Sequence, residues 1–356
     1  MEKVKLMKGN EAVAEAAIRA GCDGYFGYPI TPQSEVMEYL SSENLEERSG
    51  MILLQAESEI AAINMIFGGA GCGKKVMCSS SGPGISLMQE GLSYIAGAEL
   101  PCLVVNVERG GPGLGTIQPS QADYFQAVKG GGHGDYKLIT LAPASVQEMA
   151  DFVSLGFELA FKYRNPVMIL SDGAIGQMME KVKFSKQIPR MTKLPDWATT
   201  GKSNEKKRNL ITSLYIQPQD MEKHNQKLQK KYREVEKNEV RFEKYMCDDA
   251  EYLIVAFGTC ARVSQKTIEI AREKGLKVGL LRPITIYPYP SAELNKLADS
   301  LKGILTVEMN SGQMLEDVKL SVSGKVKVEF HGRMGGMIPT PEEVLEILEN
   351  KLIKNG

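Results

Sequence analysis

The chain has 356 residues, of which 43% are hydrophobic and 24% charged, a composition typical of a globular protein long enough for two domains. A formal net charge of −1 argues against binding to nucleic acid or to an anionic membrane. The amino terminus lacks the apolar core of a signal peptide, and no apolar run approaches the roughly 20 residues of a spanning helix, so we expect a soluble, cytoplasmic protein.

In chain order, the first 190 residues alternate between helical and strand patterns. Apolar residues repeat at helical spacing in segments 9–20, 34–40, 57–67, 85–96 and 145–163. Short apolar runs at 24–28, 51–54, 75–79, 101–107, 138–141 and 166–171 are typical of strands buried on both faces. This alternation predicts the α/β class, with a first domain over residues 1–190 built on a mostly parallel sheet covered by helices.

Residues 191–246 have a different, strongly charged composition. We interpret this region as a linker that ends in a solvated helix, because a charge run is usually an exposed face. A thin apolar stripe on that helix is expected to consist of Leu228, Tyr232, Val235, Val240 and Phe242. Strand and helix patterns alternate again in residues 247–356, which predict a second, smaller α/β domain.

Six cysteines are scattered along the chain, and none forms a C-x-x-C pair: Cys22, Cys72, Cys78, Cys102, Cys247 and Cys260. Zinc and iron–sulfur sites usually take ligands from such pairs, so we expect no metal site on this chain. The thiols are expected to act as small core hydrophobes. Any iron–sulfur cluster that serves the protein would then be on another chain.

Three loops follow predicted strands, which is where ligands bind in open α/β sheets. In the loop 27–32 (GYPITP), two prolines stiffen the turn and present Thr31, although Thr31 or Ser34 could instead cap the next helix. In the loop 79–84 (SSSGPG), small residues before a helix suit a polar or anionic ligand. Arg109 could bind a carboxylate with two hydrogen bonds, or be an ordinary surface arginine beside a glycine-rich loop.

Residues 68–75 (GGAGCGKK) resemble a P-loop superficially. Lys75 replaces the Ser or Thr that would hold magnesium, and the glycines follow a helix instead of a strand. We therefore exclude a nucleotide site there.

Two acids, Glu57 and Glu59, stand at the start of the helix 57–67, whose other residues are mostly apolar. The helix dipole stabilises either carboxylate at this position. A carboxylate on the apolar side of the helix would instead lie away from water, where it can serve a binding or catalytic purpose.

Taken in order, five segments resemble the alpha subunit of 2-oxoacid:ferredoxin oxidoreductases: GYPITP, QAESEIAA, SSSGPG, NVERGGPG and GDYKLITLAPASVQEM. In the second domain, FGTCAR, LLRPITIYPYP and VEMNSGQ resemble the family's transketolase-C-terminal-like module. The resemblance covers essentially the whole chain and is greatest to the 2-oxoisovalerate enzyme, with the 2-oxoglutarate enzyme a near relative. It implies that the first domain is the pyrimidine domain of a thiamine-diphosphate enzyme.

The resemblance also implies roles for single residues. Glu59 stands where the family's glutamate bonds N1′ of the aminopyrimidine ring and shares a proton with it. Thr31 matches a threonine that contacts substrate, and Arg109 matches an arginine that binds the 2-oxoacid carboxylate. The residues expected to line the cofactor are Tyr28, Pro29, Ile30, Glu59, Ser81, Gly82 and Pro83.

Partner subunits are implied as well. A beta subunit would bind the diphosphate through Mg²⁺, because the SDG at 171–173 is not followed by the asparagine of that motif. Iron–sulfur clusters would be on a ferredoxin-like delta subunit, and a gamma subunit is expected. The implied reaction converts a 2-oxoacid and coenzyme A to acyl-coenzyme A and CO₂, with electrons passed to ferredoxin. Two alternatives are a cluster-independent thiamine-diphosphate half-enzyme of the transketolase or decarboxylase type and a non-catalytic structural homologue.

Overall fold

The computed structural model describes residues 4–202 and 208–354. Residues 203–207 of the expected linker lie outside the described residues, as do residues 1–3 of the first domain and 355–356 of the second. No helix in the described ranges is long and apolar enough to cross a membrane.

The strands of the described chain are β1 (Val4–Lys8), β2 (Gly24–Gly27), β3 (Ile52–Gln55), β4 (Val76–Ser80), β5 (Cys102–Glu108), β6 (Ile139–Leu141), β7 (Pro166–Asp172), β8 (Met179–Lys183), β9 (Phe242–Tyr245), β10 (Tyr252–Val255), β11 (Val278–Pro283), β12 (Thr285–Tyr287), β13 (Gly303–Glu308) and β14 (Val328–Gly332). The α-helices are α1 (Gly9–Arg19), α2 (Ser34–Ser42), α3 (Leu45–Arg48), α4 (Glu59–Gly71), α5 (Pro83–Gly97), α6 (Val146–Tyr163), α7 (Gly173–Gln177), α8 (Pro218–Asn238), α9 (Gly258–Glu273), α10 (Ser291–Leu297), α11 (Gln313–Val322) and α12 (Pro341–Leu348). Short π-helical turns are formed by Gln126–Gly130 and Glu349–Ile353.

The first domain is built on a seven-stranded sheet with the order β12-β6-β7-β5-β4-β2-β3. Neighbouring strands are parallel except β12 and β6, which are antiparallel. Every residue of the central strands β5 and β7 is buried, as expected where helices cover a parallel sheet. Helices α1, α2 and α6 form one packed group, and α4 packs on α5. The predicted α/β class and mostly parallel sheet are confirmed.

The second domain contains a five-stranded sheet with the order β14-β13-β10-β11-β9. Its strands are parallel except β9, which is antiparallel to β11. Apolar residues of β10, β11 and β13 pack with α9 and α12 into a separate hydrophobic core. The expected second α/β domain is therefore present, and its sheet includes β9, a segment that we expected to lie in the linker.

The two domains are joined by shared elements. β12 directly follows β11 of the second sheet but pairs with β6 of the first sheet. Arg282 of β11 is 4% exposed and donates to the Glu148 carboxylate of α6 at 2.8 and 2.7 Å. The Arg282 guanidinium also donates to Glu243 of β9 at 2.9 Å. A buried guanidinium is stable only with such paired acceptors, so this contact stabilises the docking of the two domains.

The charged helix differs in part from the expectation. On α8 the residues Leu228, Tyr232 and Val235 are buried along one face, as expected for the apolar stripe, while most of the remaining helix surface is exposed. Val240 and Phe242 were expected to extend this stripe, but the helix ends before them, and Phe242 begins β9. The sequence pattern failed here because the apolar spacing continued across the end of the helix.

Candidate active site

The expected ligand loops meet at one edge of the first sheet. β5, β4, β2 and β3 are consecutive neighbours and run parallel, so their carboxyl ends share an edge. The turn 28–33 follows β2, the start of α4 follows β3, the loop 81–82 follows β4, and Arg109 follows β5. The topology therefore brings four separate segments to the position where ligands bind in open α/β sheets.

Glu59 is the first residue of α4 and is 5% exposed. The helix begins there because the Ser58 hydroxyl accepts a hydrogen bond from the Ala61 amide at 3.2 Å. A Cβ added at Gly84, in the first turn of α5, would lie 2.5 Å from Glu59 Oε1 and would also overlap Ser80 Oγ. The carboxylate is thus packed against a neighbouring helix start, and we call Glu59, Ser80 and Gly84 the glutamate corner.

Glu57 stands in contrast to Glu59. Glu57 is exposed, whereas no hydrogen-bond donor among the described residues reaches the buried Glu59 carboxylate. Of the two acids near the start of this helix, only Glu59 is therefore buried at the sheet edge where the loops meet.

The SSSGPG loop forms the wall between the two halves of the site. Gly82 has φ +44°, which favours glycine, and Pro83 begins α5. Ser80 and Ser81 are fully buried, and their hydroxyls have no hydrogen-bond partner among the described residues. Buried hydroxyls are normally hydrogen-bonded, so this pair is typical of a site that binds a polar ligand or water.

Arg109 is 8% exposed and lies on the other side of this loop. Its Nη1 donates to the Thr31 carbonyl oxygen at 2.9 Å, and its Nη2 donates to the Leu114 carbonyl oxygen at 3.1 Å. Its Nε is buried without a partner among the described residues and lies beside Gly82, where an added Cβ would be 3.6 Å away. The guanidinium is therefore fixed by two carbonyl groups, and its Nε edge can still donate to an anion. We call Arg109, Thr31, Leu114 and Gly82 the arginine corner.

The GYPITP turn contacts Arg109 through its backbone. Thr31 is exposed, as are Tyr28 and Pro29, and Ile30 is half-buried. The Thr31 carbonyl, not its hydroxyl, holds the guanidinium. The alternative that Thr31 or Ser34 caps the next helix is wrong, because α2 is preceded by Gln33 and has no side-chain cap.

Sequence reasoning missed Gln33, which connects two of the loops. Gln33 is 1% exposed, and its side chain accepts from the Ser79 hydroxyl and donates to the Tyr28 carbonyl oxygen at 3.3 Å. The Tyr25 hydroxyl lies 2.6 Å from Ser79 Oγ. This network fixes the GYPITP turn to the end of β4. A glutamine directly after a proline-rich turn gave no signal in the sequence.

Sequence reasoning also missed a group of polar residues near Arg109. Asp123 accepts from Asn106 Nδ2 at 2.9 Å, and its backbone amide donates to Glu108 Oε1 at 2.6 Å. Burial, together with the nearby Asp123 carboxylate, raises the pKa of Glu108 well above its usual value. Burial likewise raises the pKa of Asp123. Asn106 and Glu108 were visible as polar residues within an apolar strand, which is the signal that could have identified them.

The SDG segment has a structural role. Asp172 Oδ1 accepts from the amides of Ala174 and Ile175 at 2.9 and 3.2 Å, which caps α7. The same carboxylate accepts from the Thr259 hydroxyl at 2.8 Å and the Thr259 amide at 3.2 Å, across the domain interface. Both oxygens are thus used within the protein. In the described ranges, no group of three or more His, Cys, Asp or Glu is arranged to hold a metal ion.

The glutamate corner fits the aminopyrimidine ring of thiamine diphosphate. It offers a buried carboxylate and the buried Ser80 hydroxyl, neither with a donor or partner among the described residues, and a glycine whose replacement by any larger residue would fill the space. The Ser81 hydroxyl, next in the loop, is also buried without a partner there. A heteroaromatic ring with polar edges requires this combination of hydrogen-bonding groups and close backbone approach.

Comparison with known proteins agrees with this geometry. Residues 15–246 match the family described as pyruvate flavodoxin/ferredoxin oxidoreductase, thiamine diphosphate-binding. Residues 250–344 match pyruvate:ferredoxin oxidoreductase core domain II.

Among individual relatives, the chain is 50% identical over 342 residues to the ketoisovalerate oxidoreductase subunit VorB of Methanothermobacter thermautotrophicus, with 96% of each chain aligned. It is 36% identical over 371 residues to the 2-oxoglutarate synthase subunit KorA of Methanocaldococcus jannaschii, covering 96% of this chain and 98% of the relative.

Solved structures give the same family. The 2-oxoglutarate:ferredoxin oxidoreductase from Magnetococcus marinus, solved with 2-oxoglutarate, coenzyme A and succinyl-CoA bound, matches 98% of this chain at a TM-score of 0.87 and 29% identity. The present chain spans 65% of the length of that chain. A split-gene transketolase, solved as an inactive beta4 tetramer, matches 98% of each chain at a TM-score of 0.60 and 13% identity, which shows a common fold alone. The chain therefore belongs to the 2-oxoacid:ferredoxin oxidoreductase family, among the subunits represented by VorB and KorA.

Proposed function

We propose that this chain is the pyrimidine-binding subunit of a thiamine-diphosphate-dependent 2-oxoacid:ferredoxin oxidoreductase, active only with its partner subunits. The observation that carries the proposal is the placement of the Glu59 carboxylate and the Arg109 guanidinium on the two sides of one loop, the SSSGPG turn. One side presents an acceptor for a heterocyclic ring, and the other presents a donor for a carboxylate.

Glu59 would hold the aminopyrimidine ring at N1′. No donor among the described residues occupies the Glu59 carboxylate, so it is free to accept a hydrogen bond from a protonated ring nitrogen and to share that proton. Proton sharing requires the carboxylate to be held in a fixed position. Ser81, Gly82 and Pro83 would line the ring from the neighbouring helix start, with Tyr28, Pro29 and Ile30 at the open side. Bound thiamine diphosphate supplies the carbanion chemistry that cleaves the bond between the carboxyl and 2-oxo carbons.

Arg109 would bind the carboxylate of the 2-oxoacid. Its two Nη groups are held by the carbonyls of Thr31 and Leu114, so the Nε edge is oriented before substrate arrives. A guanidinium fixed in this way loses little conformational entropy on binding, which strengthens a charge-assisted hydrogen bond. Thr31, exposed beside it, would contact the substrate from the GYPITP turn.

A second chain is needed to close the site. The pocket of about 140 Å³ between Tyr94, His133 and Met221 borders neither Glu59 nor Arg109. Two large apolar side chains near the glutamate corner, Ile60 and Leu87, are 49% and 48% exposed, as expected for a surface that a partner covers. We assign this partner to the beta subunit that binds the diphosphate and Mg²⁺.

Further subunits complete the proposed assembly. A ferredoxin-like delta subunit would carry the iron–sulfur clusters, a gamma subunit would join it, and ferredoxin would accept the electrons. Coenzyme A would accept the acyl group, and the assembly would work in the cytoplasm, where these reactants meet. Within this chain we assign residues 1–190 to the pyrimidine domain, 191–246 to the linker with its charged helix, and 247–356 to the transketolase-C-terminal-like domain, with β9 at the end of the linker segment joining the sheet of the second domain.

The substrate we favour is 2-oxoisovalerate or another branched-chain 2-oxoacid. The relative that is 50% identical is a ketoisovalerate oxidoreductase subunit. The loop after Arg109 carries the exposed apolar side chains Leu114 and Ile117, which suit a branched aliphatic group better than a second carboxylate. 2-Oxoglutarate is the second candidate, because the 36% identical relative is a 2-oxoglutarate synthase subunit.

The test is to co-purify the native complex under anaerobic conditions and assay a panel of 2-oxoacids. We expect reduction of a viologen dye that depends on both coenzyme A and a 2-oxoacid, with the highest kcat/KM for 2-oxoisovalerate. A carboligation product without dye reduction would support the cluster-independent half-enzyme instead. A complex that neither binds thiamine diphosphate nor turns over any 2-oxoacid would support the non-catalytic homologue.

A further inference from the structure

The segment that follows the arginine corner turns back along it. We call residues 118–126 the strap. The Gly110 amide donates to the Gln118 carbonyl oxygen at 2.9 Å, and Arg109 forms an isolated antiparallel bridge with Pro119. The strap therefore runs beside the backbone of the residue that carries the guanidinium, and a displacement of one displaces the other.

The second domain holds the strap at one residue in particular. Gln121 is 1% exposed and makes four hydrogen bonds across the domain interface. Its side chain donates to the Phe257 carbonyl oxygen at 2.8 Å and accepts from the Met309 amide at 3.0 Å. Its backbone amide donates to the Met309 carbonyl oxygen at 3.1 Å, and its carbonyl oxygen accepts from Asn310 Nδ2 at 2.7 Å.

The second domain packs closely around Gln121 and contacts other residues of the strap. A Cβ added at Gly258 would lie 2.9 Å from Gln121 Nε2, so the interface is closely packed around the amide. Farther along the strap, Gln313 of α11 donates to the Ala122 carbonyl oxygen and accepts from the Phe125 amide, both at 2.7 Å. The second domain thus fixes the strap over several consecutive residues, although the two bonds of the Arg109 guanidinium go to Thr31 and Leu114 of the first domain.

We propose that Gln121 is a positioning residue for the 2-oxoacid carboxylate: by fixing the strap to the second domain it fixes the backbone from which Arg109 extends. This inference rests on the proposed function, because it assumes that Arg109 binds the substrate carboxylate. An amide is the side chain that this position requires, since it must donate to one carbonyl and accept from one backbone amide. The second domain thereby acts on substrate binding without touching the substrate.

The test uses the assembled complex with two substitutions, Gln121→Met and Gln121→Glu. Methionine keeps the length of the side chain but loses its two side-chain hydrogen bonds, to Phe257 and Met309, while the two backbone hydrogen bonds remain. Glutamate keeps an acceptor for the Met309 amide but places a second acceptor opposite the Phe257 carbonyl oxygen. We expect Gln121→Met to raise KM for the 2-oxoacid about tenfold while kcat and KM for coenzyme A change less than about twofold, the pattern of lost ground-state positioning. Gln121→Glu should raise KM at least as much, because its buried carboxylate would face the Phe257 carbonyl oxygen with no donor between them. Gln226→Met, an exposed position on α8, is the matched control and should resemble the wild type.

A double-mutant cycle separates this role from a merely structural one. If Gln121 acts through Arg109, adding Gln121→Met to Arg109→Met should raise KM no further, because the two changes remove one interaction. Additive effects, or a lower melting temperature with unchanged KM, would overturn the proposal. Failure of both Gln121 variants to assemble would assign the residue to folding and overturn it too. An Arg109→Met complex with wild-type KM would instead contradict the proposed function itself.

Discussion

The glutamate corner and the arginine corner lie on the same sheet edge but are built in different ways. The glutamate corner consists of the end of β4 and the first turns of α4 and α5. Its residues Glu59, Ser80 and Gly84 all belong to the first domain and pack against one another. The arginine corner depends on the strap, which the second domain holds through Gln121. The part of the site proposed for the cofactor is thus fixed by one sheet, whereas the part proposed for the substrate contacts a segment that the second domain holds.

This difference predicts that the two corners respond separately to substitution. Changes at the domain interface would act on the strap and on Arg109, whereas the packing of Glu59 against Gly84 lies within the first domain. The comparison also predicts that substitutions in the glutamate corner reduce kcat, whereas substitutions in the arginine corner raise KM.

The largest effect is expected for Glu59→Gln. Glutamine keeps the shape of the side chain but cannot share a proton with a ring nitrogen as a carboxylate does, so kcat of the complex should fall by roughly 10²–10⁴-fold, the usual contribution of a positioned acid or base. The measurement is 2-oxoacid-dependent dye reduction, together with gel filtration to verify assembly. The exposed Glu57 provides the matched control, and Glu57→Gln should retain wild-type turnover. Full activity of Glu59→Gln would exclude the proposed role.

Gly84→Ala should have the next largest effect. The added Cβ would lie 2.5 Å from Glu59 Oε1, so the carboxylate must move. We expect kcat to fall roughly 10–100-fold and the free energy of unfolding to decrease by about 1–3 kcal/mol, the usual effect of overpacking. Gly68→Ala on α4 is the control, because an added Cβ there meets nothing within 4 Å. It should leave kcat unchanged and, as a Gly→Ala change in a helix, stabilise the protein by about 0.5–1 kcal/mol.

Arg109→Lys tests the other corner. Lysine keeps the positive charge, but its ammonium is a single compact group that does not reproduce the planar donor geometry with which Arg109 contacts Thr31 and Leu114, so KM for the 2-oxoacid should rise about 10-fold or more. We expect kcat at saturating substrate to fall less than KM rises. Steady-state kinetics over a wide range of 2-oxoacid concentrations checks this, with KM for coenzyme A as the internal control. A fall in kcat alone would remove the distinction between the two corners.

The sequence predicted the glutamate corner better than the arginine corner for a physical reason. The glutamate corner is formed by short motifs at strand ends, and a parallel sheet brings such ends together wherever its strands are neighbours. The contact between Gln121 and Met309, in contrast, spans 188 residues, and no local pattern indicates it. Arg109 could be identified from a motif, but the domain that positions it could not.

Two parts of the fold escaped prediction for a similar reason. β12 has only three residues, and the sheet that it joins is determined by domain docking, not by its own pattern. β1 and β8 pair in a small antiparallel sheet where Val4 and Leu6 are 50% and 62% exposed, so the usual alternation of buried apolar and exposed polar residues is missing.

The smallest expected effect concerns stability, not activity, and it tests whether domain docking keeps a buried acid near the arginine corner protonated. Burial, with Asp123 and then Asp172 and Glu308 nearby, raises the pKa of Glu108 well above its usual value, and burial raises the pKa of Glu308 to about 7. An acid with a raised pKa binds its proton more tightly in the folded state than in the unfolded state. Its contribution to stability is therefore present at low pH and is lost as the pH rises from the unfolded pKa through the folded one.

Glu108→Gln removes this loss, because glutamine cannot ionise but can still accept from the Asp123 amide. Between pH 5 and pH 8, the free energy of unfolding of the variant should increase relative to the wild type by about 1.4 kcal/mol for each pH unit over which the folded Glu108 stays protonated. Urea unfolding at several pH values measures this difference in the free energy of unfolding. The change of the difference with pH is decisive, because a glutamine donor without a partner adds a cost that does not depend on pH. Parallel curves for the variant and the wild type would show that Glu108 is already ionised in the folded protein, and the prediction that domain docking keeps this buried acid protonated would then be wrong.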